Sequence, residues 1–216
     1  MEPAIEHRAE SLPTAGPAIA WLGRQPYRPT WERMQARATA IADGRASECI
    51  WCCEHEPVYT TGTRGRDNRT VEELPAPLLR TDRGGETTFH GPGQLMLYPL
   101  LDLRRRRMGV RQYVVLLEES CLRTLAHLGV AAARRCGLPG VWTEMGKIAA
   151  LGVRVQRGVA YHGMALNVHV DPRWFACIQP CGLRLPVDRL HRHAIPLPDD
   201  AALASMWAQQ LVALLP

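Results

Sequence analysis

Apolar positions along this chain recur with three spacings, and each predicts a different kind of element. Near-continuous apolar runs at Ala18 to Gly23, Cys49 to Glu54 and Leu95 to Leu100 predict strands. Trp31, Met34, Ala38 and Ile41 lie three or four residues apart and predict a helix, with Thr30 as its N-cap and Gly44 as its stop. Val114, Leu117, Cys121, Leu125 and Leu128 predict a second helix over about 111 to 128, and Ala201 to Leu215 a third. Val153 to Gln156 and Val159 to His162 flank Arg157-Gly158, which predicts a hairpin whose second strand continues from Met164 to Val170. Thr60 to Arg66 reads as a polar loop. The strands and helices come in blocks without strict alternation, so the fold class is α+β. Residues 1–17 read as a flexible N-terminal tail and 18–216 as a single domain, with no internal repeat.

Composition narrows this picture. With 216 residues, 46% of them hydrophobic, the chain can build one sizeable core. The net charge of +5 suits acidic protein partners or nucleic acid and does not choose between them. The N-terminus has no apolar segment of the signal-peptide type, and no apolar run approaches the roughly 18 residues of a membrane helix. Seven cysteines without a small-scaffold spacing read as reduced thiols, so a cytoplasmic location is expected.

The candidate chemistry begins with a count. Lys147 is the only lysine among 26 basic residues. Arginine stays cationic, whereas a lysine can lose its proton when buried and act as a base. A genome biased toward arginine codons accounts for much of the excess, but not for the lysine's place in Gly146-Lys147-Ile148-Ala149-Ala150-Leu151-Gly152. Cys181 sits between Pro180 and Gly182, in a sharp turn that could expose its sulfur; the bland reading is a buried packing residue. A lysine beside it would stabilise the thiolate or carry a proton. From Arg83 to Gln94 four glycines fall within ten positions, which suits backbone N–H groups approaching a ligand, or a tight structural turn. Cys49, Cys52, Cys53 and His55 offer zinc-like spacing, but no second pair completes a site, and alternation along a strand would point them apart. No metal is expected. The run Arg104 to Arg107 reads equally as a solvated loop or as a docking surface for an acidic partner.

Four motifs in register carry a resemblance. Arg83-Gly84-Gly85-x-x-Thr88-x-His90-Gly91-Pro92-Gly93-Gln94, Lys147-Ile148-Ala149-x-x-Gly152-x-Arg154, His162-Gly163-x-Ala165-x-Asn167 and Pro180-Cys181-Gly182 resemble the octanoyl-(acyl-carrier-protein):protein N-octanoyltransferases. Glu56-Pro57-Val58-Tyr59-Thr60-x-Gly62 is similar to that family's upstream motif. The resemblance runs from about residue 18 to near the C-terminus. It implies the fold of the biotin/lipoate protein ligase superfamily, a mixed β-sheet flanked by helices. It also implies Cys181 as the nucleophile and Lys147 as the residue that depresses its pKa. Arg83, Gly84, Gly85, Glu86, Thr87, Thr88, Phe89 and His90 would line the acyl site, with Ala150, Leu151, Gly152, Gly163, Met164 and Ala165.

The implied reaction moves an octanoyl group from octanoyl-acyl carrier protein to Cys181, then to a lysine ε-amine on a lipoyl domain. The implied acceptors are 2-oxoacid dehydrogenase E2 subunits and the glycine-cleavage H protein. No cofactor, nucleic acid or membrane is implied, and a monomer is expected. His90 and His162 are read as residues of the pocket or its surround without a proton-transfer role. Gln179 stands where the family often has Asn, and Leu183 to Pro186 depart from its pattern. The alternative is an ATP-dependent lipoate or biotin protein ligase of the same fold, which activates its acid as an adenylate and needs no cysteine. A non-catalytic binding module or a thiol hydrolase using His162 and Asn167 would instead tolerate loss of Cys181 or release free octanoate.

Overall fold

The computed structural model describes residues 16–65, 74–178, 186–193 and 195–216. Cys181, with its neighbours Pro180 and Gly182, and nearly all of the expected tail lie outside the described residues.

The chain opens with β1 (Ala18–Gln25), α1 (Tyr27–Ala42) and β2 (Cys49–His55). β3 (Val58–Thr61), β4 (Leu78–Arg80) and β5 (Thr87–His90) follow, and then β6 (Gln94–Asp102) and α2 (Val110–His127). The second half runs through β7 (Ala133–Arg135), β8 (Leu138–Thr143), β9 (Gly146–Gln156) and β10 (Val159–Asn167), the short α3 (Arg173–Ala176) and α4 (Asp200–Val212). Seven strands form one mixed sheet in the order β1-β2-β6-β10-β9-β8-β7, and a second sheet runs β4-β3-β5. In the large sheet only β1 and β2 are parallel, joined across α1.

Every residue of β6 and β10 is buried, as expected for central strands covered on both faces. Alternation divides their side chains. Leu95 and Leu97 pack with α2 and α4, through Tyr113, Leu117, Cys121, Leu203 and Trp207. Met96 and Tyr98 face α1 with Met34, Ala38 and Ile41. The apolar spacings read from the sequence thus mark which helix covers which face.

The predicted helices and strands are present, with three corrections. Helix α1 begins at Tyr27, not beyond Thr30, and its N-cap is Pro26. Thr30 lies inside the first turn and its hydroxyl donates back to the Pro26 carbonyl at 2.9 Å, the short-range bond that lets threonine sit within a helix. Thr60 and Thr61 are not loop but the end of β3, because both pair with β5. β10 stops at Asn167, where the three N–H groups of Val168, His169 and Val170 all turn onto the Gly93 carbonyl. The Arg157-Gly158 hairpin forms as read, with positive φ at both turn residues (52° and 84°).

The arginine run ends β6 in a turn. Arg104 pairs with Asp102 at 3.0 Å and Arg106 with Glu48, leaving Arg105 and Arg107 exposed and outside those pairs. That turn is eight residues from Gln94, so about 27 Å along the strand from the Lys147 end of the sheet.

His55 ties the first three strands of the sheet. Its Nδ1–H donates to the Gln25 carbonyl of β1 at 2.9 Å, so Nε2 accepts from the Tyr98 hydroxyl of β6 at 2.8 Å. Burial pushes its pKa down to about 4 from 6.5. The unfolded chain therefore binds an extra proton between those values. The contribution of His55 to stability is full above the unfolded value and is lost as pH falls toward the folded one, up to about 3 kcal/mol. Urea unfolding of wild type and His55→Gln at about pH 7 and about pH 5 checks this: the wild type should lose more stability on acidification than the variant. At the other face, Trp207 is fully buried and its Nε1–H donates to Ser120 Oγ at 3.1 Å. Trp207→Ala should cost about 3–5 kcal/mol in the same assay.

Candidate active site

Where β6, β10 and β9 lie side by side, their α1-facing surface carries little side chain. Ala165 pairs with Ala150 and Gly163 with Gly152, so two rungs of the ladder present only hydrogen or methyl. The β3–β5 sheet and the loop leading into it stand over this bare strip, and between them is a cavity of about 130 Å³. Met96, Leu151, Met164 and Ala165 supply much of its apolar wall.

The cavity gathers most of the residues singled out in the sequence. Arg83, Gly85, Glu86, Thr87, Thr88 and His90 line it from the loop and β5. Lys147, Ala150, Leu151 and Gly152 line it from β9, and Gly163, Met164 and Ala165 from β10. Gly84 and Phe89 do not. Phe89 alternates to the outer face of β5, where it stacks on Trp174 with ring centroids 4.6 Å apart. Gly84 instead holds the loop to the sheet: its N–H donates to the Val153 carbonyl at 3.0 Å. A side chain at Gly152 would meet the Gly84 carbonyl at 2.7 Å, so this glycine is the one that lets the loop approach.

Arg83 organises that loop from within. Its guanidinium is buried and donates to Thr60 Oγ1, the Thr60 carbonyl, the Gly84 carbonyl and the Glu86 carbonyl at 2.6–3.1 Å. With all its bonds to neutral oxygens, it leaves a positive field in the cavity wall. That field and burial together push the His90 imidazole well below its usual range, burial being the larger cause.

A hydrogen-bonded chain fixes the state of His90. Asn167 Nδ2 donates to the Asp188 carbonyl at 3.0 Å, so its Oδ1 accepts from Gln94 Nε2 at 2.9 Å. Gln94 Oε1 then faces His90 Nδ1 at 2.7 Å, and that nitrogen carries the proton. His90 is thus a neutral ring with Nε2 as its acceptor, stacked on Tyr27 at 5.6 Å.

Lys147 stands at the same end as Asn167. Its Nζ lies 4.8 Å from the centre of the Trp142 ring, a cation–π distance. Its backbone pairs with the returning chain: Lys147 N–H donates to the Pro186 carbonyl at 2.8 Å, and Asp188 N–H to the Lys147 carbonyl at 3.0 Å. Phe175 and Val187, which flank residues 179–185 in sequence, both line the cavity.

Behind His162, which lines the cavity, stands a carboxylate that sequence reading missed. Asp82 accepts from Trp31 Nε1 at 2.9 Å, Gln35 Nε2 at 3.3 Å, His162 Nε2 at 2.8 Å and the Tyr161 hydroxyl. Burial alone would raise its pKa, but the bonds from His162 and Tyr161 hold it well below the usual carboxylate range. Consecutive strand residues normally point to opposite faces. Tyr161 and His162 reach one carboxylate because His162 has φ 56°, a left-handed conformation that costs a non-glycine residue about 1–3 kcal/mol. Tyr27, Trp31 and Gln35 lie at i, i+4 spacing, and a helix start at Tyr27 would have revealed that stripe.

The described cysteines divide sharply. Burial pushes Cys52 up to about 12, and Cys49, Cys53 and Cys121 are also raised, so these four are packing thiols. Cys136 is exposed and Cys177 half-buried. Among the described residues no cluster of His, Cys, Asp or Glu could hold a metal ion.

Comparison with known proteins places this architecture. Residues 26–211 match the model of the lipoyl protein ligase A/B catalytic domain. An octanoyltransferase of Halorhodospira halophila is 47% identical over 184 residues, 83% of each chain. One from Azoarcus sp. is 46% identical over 197 residues, covering 90% of this chain and 86% of the relative. Among solved structures, the bi-partite lipoate protein ligase described with its E2 lipoyl domain from Thermoplasma acidophilum superposes with a TM-score of 0.62 at 17% identity. It covers 91% of this chain and 84% of that one, a likeness of fold. The mixed sheet and its helices share the fold of lipoate protein ligases; the chain belongs to the lipoyl protein ligase A/B catalytic-domain family and, within it, to the octanoyltransferases, which makes it an acyltransferase.

Proposed function

We propose that this acyltransferase takes its octanoyl group from octanoyl-acyl carrier protein, holds it as a thioester on Cys181, and passes it to a lysine of a lipoyl domain. The observation that carries this reading is a convergence. Phe175 and Val187, on either side of the Pro180-Cys181-Gly182 segment, line the same cavity as Lys147, and Pro186 is bonded to the Lys147 backbone. The four packing thiols, with their raised pKa values, make poor competitors for the nucleophile.

Lys147 has the chemistry the nucleophile needs. As an ammonium it favours the Cys181 thiolate, which attacks the octanoyl carbonyl and expels the carrier's sulfur, and it gives its proton to that leaving thiolate. As an amine it can then accept the proton of the incoming lysine, so that the C–N bond forms as the C–S bond breaks and the Cys181 thiolate is released. Thioester exchange is nearly isoenergetic and amide formation is downhill, so no nucleotide is consumed. The apolar walls favour the chain at roughly 0.8 kcal/mol per buried methylene. Acyl carrier proteins and lipoyl domains are typically acidic and suit a protein of charge +5. The pairing of the Thermoplasma acidophilum ligase with an E2 lipoyl domain supports the same class of acceptor. We further propose one catalytic domain over residues 18–216, acting in the cytoplasm.

Intact-mass measurement tests the intermediate. Wild type and Cys177→Ser mixed with octanoyl-acyl carrier protein without ATP should each gain one octanoyl group, which an apo lipoyl domain discharges; Cys181→Ser should gain none. Modification of the lipoyl domain only with ATP and free octanoate would establish a ligase instead. Lys147→Arg keeps the charge and loses the titratable amine. In single-turnover assays it should slow transfer to the lipoyl domain by about 10²–10⁴-fold while the fold, followed by circular dichroism, is unchanged.

A further inference from the structure

We propose that Trp142 is the positioning residue for Lys147: its indole face fixes where the chain's single lysine amine points. This rests on the octanoyl-transfer reading, in which that amine serves Cys181. A lysine carries its charge on a flexible four-carbon stem, so one that works at a fixed spot needs something to hold it there. The strand register supplies it.

Trp142 of β8 stands directly opposite Lys147 of β9, and that pairing depends on an irregularity. Val141 pairs with Ala149, so an unbroken ladder would set Trp142 against Ile148. One extra residue in β9 moves Lys147 into that place and brings its side chain to the face that carries the indole. Its Nζ then lies over the ring, 4.8 Å from the centre. Gly140 clears the path. A side chain there would come within 3.3 Å of Lys147 Cε and 2.5 Å of the Ala149 carbonyl, and its φ of 118° also favours glycine. Gly140 is held in turn by its N–H, which donates to the buried Glu118 carboxylate of α2 at 2.8 Å.

The ring is as firmly fixed as the lysine stem is flexible. Trp142 is buried, and its Nε1–H donates to the Leu138 carbonyl at 3.0 Å. Arg135 reaches the ring from β7, on the other flank of β8, with its guanidinium carbon 4.7 Å from the ring centre. That guanidinium is anchored by a bond to the Thr143 carbonyl at 3.1 Å. Lys147 lines the cavity, whereas Trp142 does not. The indole therefore acts on the reaction through the amine: its negative face draws the ammonium and holds it at the cavity wall.

Because Lys147 is the only lysine, isotope-labelled lysine reads this geometry directly. The one ε-methylene proton signal of wild type should lie upfield of free lysine, shielded by the ring beneath it. Trp142→Leu should return the signal to the free position, and Trp142→Phe should keep part of the shift. Single-turnover acylation by octanoyl-acyl carrier protein, read by intact mass, should slow by about 3–30-fold in Trp142→Leu, and Trp142→Phe should recover most of that loss. Tetrafluorotryptophan placed at position 142 alone keeps the shape and the N–H but drains the ring face. It should slow acylation by about threefold or more with stability in urea unchanged. An unshifted lysine signal in wild type overturns the proposal while leaving octanoyl transfer intact. So does a wild-type rate with the fluorinated ring or in folded Trp142→Leu, and the fluorinated protein decides should Trp142→Leu not fold. A wild-type acylation rate in Lys147→Met removes the role of the lysine and the proposal with it. No acylation of wild type overturns the transfer reading itself.

Discussion

The pocket depends on the bonds that converge on Asp82. This one carboxylate joins helix α1, through Trp31 and Gln35, to strand β10, through Tyr161 and His162. It is also the residue before Arg83, so it fixes where the buried guanidinium enters the loop that roofs the slot. Four donors on one acceptor stabilise its charge, and that charge in turn fixes the tautomer of the histidine. The left-handed backbone at His162 is the strain that this arrangement offsets.

Around that anchor the site is arranged by subtraction. Catalytic machinery is usually described by the side chains it presents, but here the strip of sheet beneath the cavity is defined by their absence at Gly152 and Gly163 and their brevity at Ala150 and Ala165. Each glycine has a neighbour that would collide with a side chain, backbone carbonyls among them. The loop from Arg83 to Glu86 can lie close to β9 for the same reason. Polar order is concentrated at the margins, in the His90–Gln94–Asn167 chain at one side and the Asp82 network at the other.

Much of this was legible in the sequence, and the exceptions have physical causes. The near-continuous apolar run from Leu95 to Leu100 and the helical spacing from Trp31 to Ile41 mark a core strand and a helix, because burial writes those patterns directly. The glycine-rich motifs located the cavity. Phe89 was grouped with its neighbours although strand alternation turns it outward, a matter of parity within β5. Thr30 was read as a cap because a threonine after proline suits that position; its hydroxyl bonds backward within a helix that starts three residues earlier. Asp82 escaped notice because its partners lie 47 to 80 residues away, and no local pattern announces a carboxylate whose donors come from two other elements.

Strands β6 and β10, which share the centre of the sheet, are 73 residues apart in sequence where Gln94 meets Asn167. Closing so long a loop is slow compared with forming α1 or the β9–β10 hairpin. During synthesis β6 emerges well before its antiparallel partner, and its nearly continuous apolar run then presents an unpaired edge. That edge of β6 stays unpaired until β10 is made, and the nascent chain is most prone to aggregate in the interval before β10 leaves the ribosome.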